Sequence, residues 1–200
     1  MKLAIVTSNK HKLEELRSIL EGTPFELINI KPNESEVPKE TGKTFVENAK
    51  IKALYYAKAY NIPVISDDSG LVVPSLYDLP GLYSSRYSGL GDIGNNLKLL
   101  KSLEGKTDRY AYFNCTICIA FPDLKTFVFE GKFEGAIGYS MDGSDGFGYD
   151  PIFIPKGESQ SLAVLGSVYK RINSHRAAAL KKFLEGKDEI INYWRYTWQK

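Results

Sequence analysis

The sequence predicts an α/β fold, a mixed β-sheet flanked by helices. Three observations carry this. From Lys2 to Ser66, short apolar strands alternate with amphipathic helical stretches, the order that builds parallel pairings. Two longer strand-like segments about Pro122-Asp123-Leu124-Lys125 then supply an antiparallel hairpin. The chain has 200 residues, 43% hydrophobic and 25% charged, enough for one large domain or two small lobes sharing a sheet.

Each element has its own signal. Lys2 to Thr7 reads as a short buried strand. Lys10 to Glu21 places Leu13, Leu16, Ile19 and Leu20 on one face, a helical period that Gly22 and Pro24 end. Phe25 to Ile30 is a second strand, and the polar stretch 31–42 with its two prolines is a loop. Thr44 to Tyr60 is a helix with Phe45, Ala49, Ala53, Tyr56 and Ala57 buried. Strands are expected at Pro63–Ser66 and Leu71–Ser75, a Gly/Ser/Tyr-rich loop over Gly81–Gly94, and a helix over Asn95–Leu103. Arg109–Phe121 and Thr126–Phe133 form the hairpin, and Ile152–Ile154 is a short strand. Ser174 caps a helix over His175–Leu184. A last helix, Asp188 to about Trp198, carries four aromatic residues that are expected to pack within the chain.

Composition excludes several classes. A formal charge of +2 gives no bulk signal for nucleic acid, so anion binding has to come from local arrangements. The first apolar run is too short for a secretory signal, and nothing approaches a membrane span, so a cytoplasmic protein is expected. Cys115 and Cys118 share a Cys-x-x-Cys spacing. They lie inside a strand, though, where an offset of three puts them on opposite faces, so a structural role is expected. Two glycosylation-like patterns, at Asn33 and Asn114, are idle in a cytoplasmic chain. Thirteen tyrosines and ten phenylalanines leave ample ring surface for stacking, though most serve the core.

The chemistry concentrates in a few segments. Ser66-Asp67-Asp68-Ser69-Gly70 sets two carboxylates at an expected strand end, which suits a divalent ion that takes oxygen ligands and keeps positions for phosphate. Glu40, with Asp68 or with both acids, makes a carboxylate cage for Mg²⁺. Thr7-Ser8-Asn9-Lys10-His11-Lys12 lies at a strand-to-helix junction, where free N–H groups, hydroxyls and lysines suit phosphate. Gly42-Lys43-Thr44 is not a P-loop, because position 37 is Val where that motif needs Gly. Gly146-Phe147-Gly148-Tyr149-Asp150-Pro151 lets a flat ligand approach the Phe147 ring, and a base stacked on an aromatic gains about 1–3 kcal/mol. Ser174-His175-Arg176 opens a helix, with Lys170 four residues before the cap. The Arg176 fork can read a base carbonyl or a phosphate oxygen, with His175 as a second donor.

Together these segments resemble the inosine triphosphate pyrophosphatase family, which removes purine nucleoside triphosphates other than ATP and GTP. The matching stretches include Thr7–Lys10 with Lys12, Glu40–Ala49, Ser66–Leu71, Pro80–Gly89, Asp145–Pro151 and Ser174–Arg176, in the family's order from residue 3 to about 185. The resemblance implies an elongated mixed sheet flanked by helices, in one domain of two lobes with an active-site cleft between them. It also implies a homodimer, Mg²⁺ dependence, and hydrolysis of ITP, dITP or XTP to the monophosphate and pyrophosphate. By position, Asp68 matches the base and metal ligand, and Glu40 the second metal ligand. Ser8, Asn9, Lys10 and Lys12 match the phosphate segment, and Ser69 a substrate contact. Phe147, Gly148, Tyr149, Asp150, Lys170, His175 and Arg176 match the base-recognition residues. Two places depart from many relatives: Gly166-Ser167-Val168-Tyr169 precedes Lys170 where acids are common, and Lys39 precedes Glu40.

Other functions remain to be weighed. A pyrophosphatase for modified pyrimidines or methylated bases shares the reaction and differs in the base pocket. A nucleotide sensor without turnover would not need paired acids. A nucleic-acid module lacks its basic stripe.

Overall fold

The computed structural model describes residues 1–7, 9–32 and 37–198. Six strands form one sheet in the order β2-β1-β3-β4-β5-β6. They are β1 (Lys2–Val6), β2 (Glu26–Ile30), β3 (Val64–Val72), β4 (Tyr110–Ala120), β5 (Thr126–Ile137) and β6 (Phe153–Pro155). β1 pairs in parallel with both β2 and β3, in a register that sets Lys2 beside Glu26 and Ile5 beside Ile65. β5 and β6 are antiparallel, so the sheet is mixed, as the sequence predicts. Among the described residues six α-helices accompany it: α1 (Lys10–Leu20), α2 (Phe45–Tyr60), α3 (Gly91–Ser102), α4 (Leu162–Asn173), α5 (His175–Glu185) and α6 (Lys187–Tyr193). A π-turn over Trp194–Trp198 follows α6.

The chain divides into two compact units. Unit 1 comprises Met1–Asp68, Cys115–Gly131 and Ala178–Lys200. Its core has two parts. One joins Ile5, Ile65, Cys115, Ile117 and Ile119 to Leu13, Leu16 and Leu20 of α1 and to Leu180 and Phe183 of α5. The other joins Ala4, Val64, Cys118 and Ala120 to Ala49, Ala53, Tyr56 and Ala57 of α2. β3 and β4 therefore send alternate residues to opposite faces, the strand period of two. Cys115 and Cys118 fall in different parts, as their spacing predicts, and neither is in a disulfide. Tyr193, Trp194 and Trp198 pack against the first part, which accounts for most of the C-terminal aromatics within the chain.

Unit 2 comprises Ser69–Asn114 and Lys132–Ala177. Its core joins Leu71, Val73, Phe113, Ile137 and Phe153 to Leu99 of α3, to Leu103 just after that helix, and to Leu162 of α4.

Three expectations need correction. The segments at 63–66 and 71–75 are one nine-residue strand, and Asp67 and Asp68 lie inside it rather than at an end. The polar run stays extended because its side chains are partnered: Ser66 Oγ donates to Ala49 O at 2.6 Å, and both acids meet lysines. The loop ascribed to residues 81–94 contains a 3₁₀ turn at Gly81–Arg86 and the start of α3. α4 has no counterpart in the sequence reading, because Gly166 (φ +83°) breaks its period into two short pieces. The Asp145 carboxylate accepts the Ser167 N–H at 2.8 Å and restarts the helix there. No helix among the described residues is long and apolar enough to cross a membrane.

Candidate active site

In unit 1 the site begins at the end of β1. Thr7 Oγ1 accepts the Asn9 N–H at 3.1 Å. Asn9 caps α1 by accepting the Lys12 N–H on Oδ1, also at 3.1 Å. This fixes the helix start and leaves Lys10 and His11 exposed in its first turn. Ser8 lies outside the described residues, as does the Asn33 glycosylation pattern.

Asp67 and Asp68 are both largely buried and serve different partners, because neighbouring strand residues face opposite ways. Asp67 forms an ion pair with Lys12 through Oδ1 and accepts the Cys115 thiol on Oδ2 at 3.0 Å. Asp68 Oδ1 meets Lys52 Nζ at 2.8 Å, and the same ammonium meets Glu40 Oε1 at 2.8 Å. The structure thus brings together Glu40 and Asp68. It does not place Asp67 in that group.

The loop that follows Glu40 is held by the start of α2. Thr44 Oγ1 accepts the Glu47 N–H at 3.1 Å, and Glu47 Oε2 accepts the Lys43 N–H at 2.5 Å. Asn48 Oδ1 accepts the Gly42 N–H at 2.8 Å. A Cβ at position 42 would lie 2.6 Å from that same Oδ1, so the loop closes on the helix only with glycine there. This is the use of Gly42-Lys43-Thr44.

Burial raises the pKa of Asp68 above the ordinary carboxylate value, against the pull of Lys52, with Glu40 adding to the rise. For Lys52, burial opposes the charge, but Asp68 and Glu40 outweigh it and the pKa is raised. Lys52 is a residue the sequence reading missed. A signal existed: it falls between Ala49 and Tyr56 at helical spacing, a charge on an otherwise buried stripe.

The residues present fit a divalent cation. Two carboxylate oxygens of Glu40 and Asp68 already converge on one positive centre, the Lys52 ammonium, which stands where a cation would. No group of three or more His, Cys, Asp or Glu converges among the described residues, so a protein-only cage is absent there. Mg²⁺ does not require one, since it is commonly held by one or two carboxylates with water and phosphate oxygens.

In unit 2 the remaining predicted residues cluster. Arg176 is 1% exposed and donates from Nη2 to Ser69 Oγ at 3.1 Å. His175 stacks on Phe113, ring centroids 4.9 Å apart and 14° from parallel. Lys170 pairs with Asp150 at 2.7 Å, both buried, and its Nζ lies 3.7 Å from the Phe147 ring centroid. Asp150 Oδ2 also accepts the Phe147 N–H at 2.9 Å. The Tyr149 hydroxyl donates to Ser84 O at 2.8 Å, and burial pushes its pKa up. The Lys170 charge is thus engaged by Asp150 and the face of Phe147. Asp92 and Asn96, which the sequence reading passed over, hold Gly148 from α3.

A family model described as "Ham1 family" matches residues 3–186. The chain belongs to the Ham1 family. A relative named dITP/XTP pyrophosphatase, from Acholeplasma laidlawii, is 50% identical over 201 residues and all of both chains. One of the same name from Geobacter sulfurreducens is 44% identical over 185 residues, 90% of this chain and 92% of the relative. The Ham1 protein of Staphylococcus aureus superposes with a TM-score of 0.85 at 37% identity, over 95% of this chain and 100% of that one. A HAM1 protein from Coxiella burnetii gives 0.86 at 35%, over 94% and 99%. These likenesses agree with the resemblance carried by the motifs, and the Ham1 structures share the mixed, helix-flanked sheet.

Proposed function

We propose that this Ham1 protein is a nucleoside-triphosphate pyrophosphatase that hydrolyses dITP, XTP and ITP to the monophosphate and pyrophosphate with Mg²⁺. The observation that carries the reading is the Glu40–Lys52–Asp68 group, two acids sharing one cation in a chain whose relatives are named dITP/XTP pyrophosphatases. Asn9, Lys10, His11, Lys12 and the hydroxyls of Thr7 and Ser8 are assigned to the triphosphate, beside the N-terminus of α1. Asp68 takes a proton from the water that attacks phosphorus, and the bond between the α- and β-phosphates breaks with pyrophosphate leaving. A raised pKa suits that role, because a general base works best when its pKa approaches the working pH. Mg²⁺ held by Glu40 and Asp68 would offset charge on the phosphate oxygens.

Phe147, Gly148, Tyr149, Asp150, Lys170, His175 and Arg176 are assigned to the base, with Ser69 beside Arg176. A buried guanidinium that donates to a 6-keto oxygen has no partner in adenine's amino group. An unpaired buried donor is what rejects ATP. The homodimer and the cytoplasmic setting belong to the same proposal and rest on the family resemblance.

Pyrophosphate release from ITP, dITP, XTP, GTP, ATP and dTTP, with and without Mg²⁺, tests the reading. Metal-dependent turnover led by the inosine and xanthosine nucleotides is expected. No turnover of any nucleotide would overturn it. Arg176→Ala is expected to lower the ITP-to-ATP preference by about tenfold or more, on the order of one lost charged hydrogen bond. An unchanged ratio removes Arg176 from base reading.

A further inference from the structure

We infer that Asp92 and Asn96 of α3 are positioning residues for base selection, which fix the backbone on both sides of Gly148 and so the direction of the Phe147 ring. The inference rests on the reading above, in which Phe147 takes the base.

The geometry is confined to unit 2. Gly148 sits in the left-handed region at φ +65°, a conformation glycine adopts at little steric cost and holds at a high entropic one. Its N–H donates to Asp92 Oδ2 at 2.7 Å, and its carbonyl accepts Asn96 Nδ2 at 2.8 Å. The two side chains are four residues apart, one helical turn, and so reach the same place from one face of α3. Asn96 Nδ2 also donates to Asp92 O at 2.8 Å, which ties the pair together. On the N-terminal side of the Phe147 Cα, Asp150 Oδ2 holds the Phe147 N–H, and it also holds the Lys170 ammonium. Both peptide groups flanking the Phe147 Cα are therefore bound, and a cation covers one ring face.

Asn96 shows what this arrangement costs. The residue is 2% exposed, and its Oδ1 has no hydrogen-bond partner among the described residues. A buried unsatisfied acceptor is unfavourable. The amide cannot simply turn over, because Oδ1 would then face two carbonyl oxygens. Both Nδ2 hydrogens are committed to those carbonyls, one of which is Gly148 O. Stability alone does not favour such a residue here; a fixed loop does.

The test compares dITP and dATP turnover by the wild type, Asp92→Ala, Asn96→Ala and Asp92→Asn, with inhibition by inorganic tripolyphosphate as a probe that carries no base. In each alanine variant KM for dITP is expected to rise about tenfold, kcat to stay within about threefold, and the dITP-to-dATP preference to fall about tenfold, one lost hydrogen bond's worth. Tripolyphosphate inhibition is expected to hold. Asp92→Asn keeps an oxygen that can accept the Gly148 N–H and is expected to retain most of the preference. Alanine variants with the wild-type preference, or ones that lose tripolyphosphate and dITP affinity in equal proportion, would overturn the inference. If the wild type discriminates and the variants match it, only the positioning role falls. If the wild type turns over neither nucleotide, the enzyme reading falls and this inference with it.

Discussion

The two units hold their charged residues differently. In unit 1 the pairs Lys12–Asp67, Lys52–Glu40 and Lys52–Asp68 join side chain to side chain, and their lysines keep 21% and 18% of the side chain exposed even where the acid, as at Asp67, is buried. In unit 2 the Lys170–Asp150 pair is 7% and 2% exposed, and the carboxylates of Asp150 and Asp92 bind backbone N–H groups. A part-exposed pair can exchange its partner for a phosphate or a metal at modest cost. A buried pair cannot, because separating it leaves an uncompensated charge. Under the proposed function, the difference teaches that chemistry and recognition call for opposite treatments of the same residue types, exchangeable cations in one unit and a fixed frame in the other.

The comparison can be broken at several points. Asp68→Asn keeps the shape and removes the proposed base, so kcat is expected to fall on the order of a hundredfold to ten-thousandfold with an unchanged circular dichroism spectrum. Near wild-type turnover would remove Asp68 from the chemistry. Lys170→Met strands the Asp150 carboxylate in unit 2 and is expected to cost about 3–5 kcal/mol in denaturant unfolding. A loss under 1 kcal/mol, the ordinary value for a surface pair, would erase the contrast drawn above.

Lys52→Met sharpens the other side. It leaves Glu40 and Asp68 facing each other without a cation. Its melting temperature is expected to drop in chelator and to recover with millimolar Mg²⁺, while the wild type moves less. A variant indifferent to Mg²⁺ would argue against a metal at these two acids. The smallest effect is expected at Cys118, whose thiol burial pushes up to about 12 from an ordinary value of 9.0. The folded state keeps a proton that the unfolded chain releases, so this contribution to stability is complete below pH 9 and is lost as pH rises towards 12. Measured against Cys118→Ala, the wild type is expected to lose stability over that window with a limiting slope of about one proton. A flat difference would mean that the thiol is better solvated than its position implies.

Much of this was legible in the sequence, for physical reasons. Asn9 and Thr44 announced two helix starts, because a polar cap followed by an apolar period leaves little else for the chain to do. The hairpin followed from two β-rich runs about one turn. The pairing of Glu40 with Asp68 was one of two cages the acids allowed. What could not be read depended on partners distant in sequence. Asp67 and Asp68 stay inside a strand because Lys12 and Lys52 neutralise them from opposite faces, and neither lysine is near in sequence. α4 escaped because Gly166 interrupts it, and its continuation depends on Asp145. Asp92 reads as an ordinary polar residue of the loop expected over Gly81–Gly94, and Asn96 as one inside the helix expected over Asn95–Leu103. Their use appears only when Gly148 is brought beside them.

The two thiols in β4 have a practical consequence. Each is 0% exposed, and they belong to cores on opposite faces of the sheet, Cys115 with the α1 and α5 residues and Cys118 with the α2 residues. A thiol-modifying reagent can reach neither until the helices over it lift away. The protein therefore carries a pair of internal clocks. Labelling Cys115→Ala and Cys118→Ala variants in turn would time the opening of each face separately, and equal rates would mean that both cores come apart in a single cooperative event.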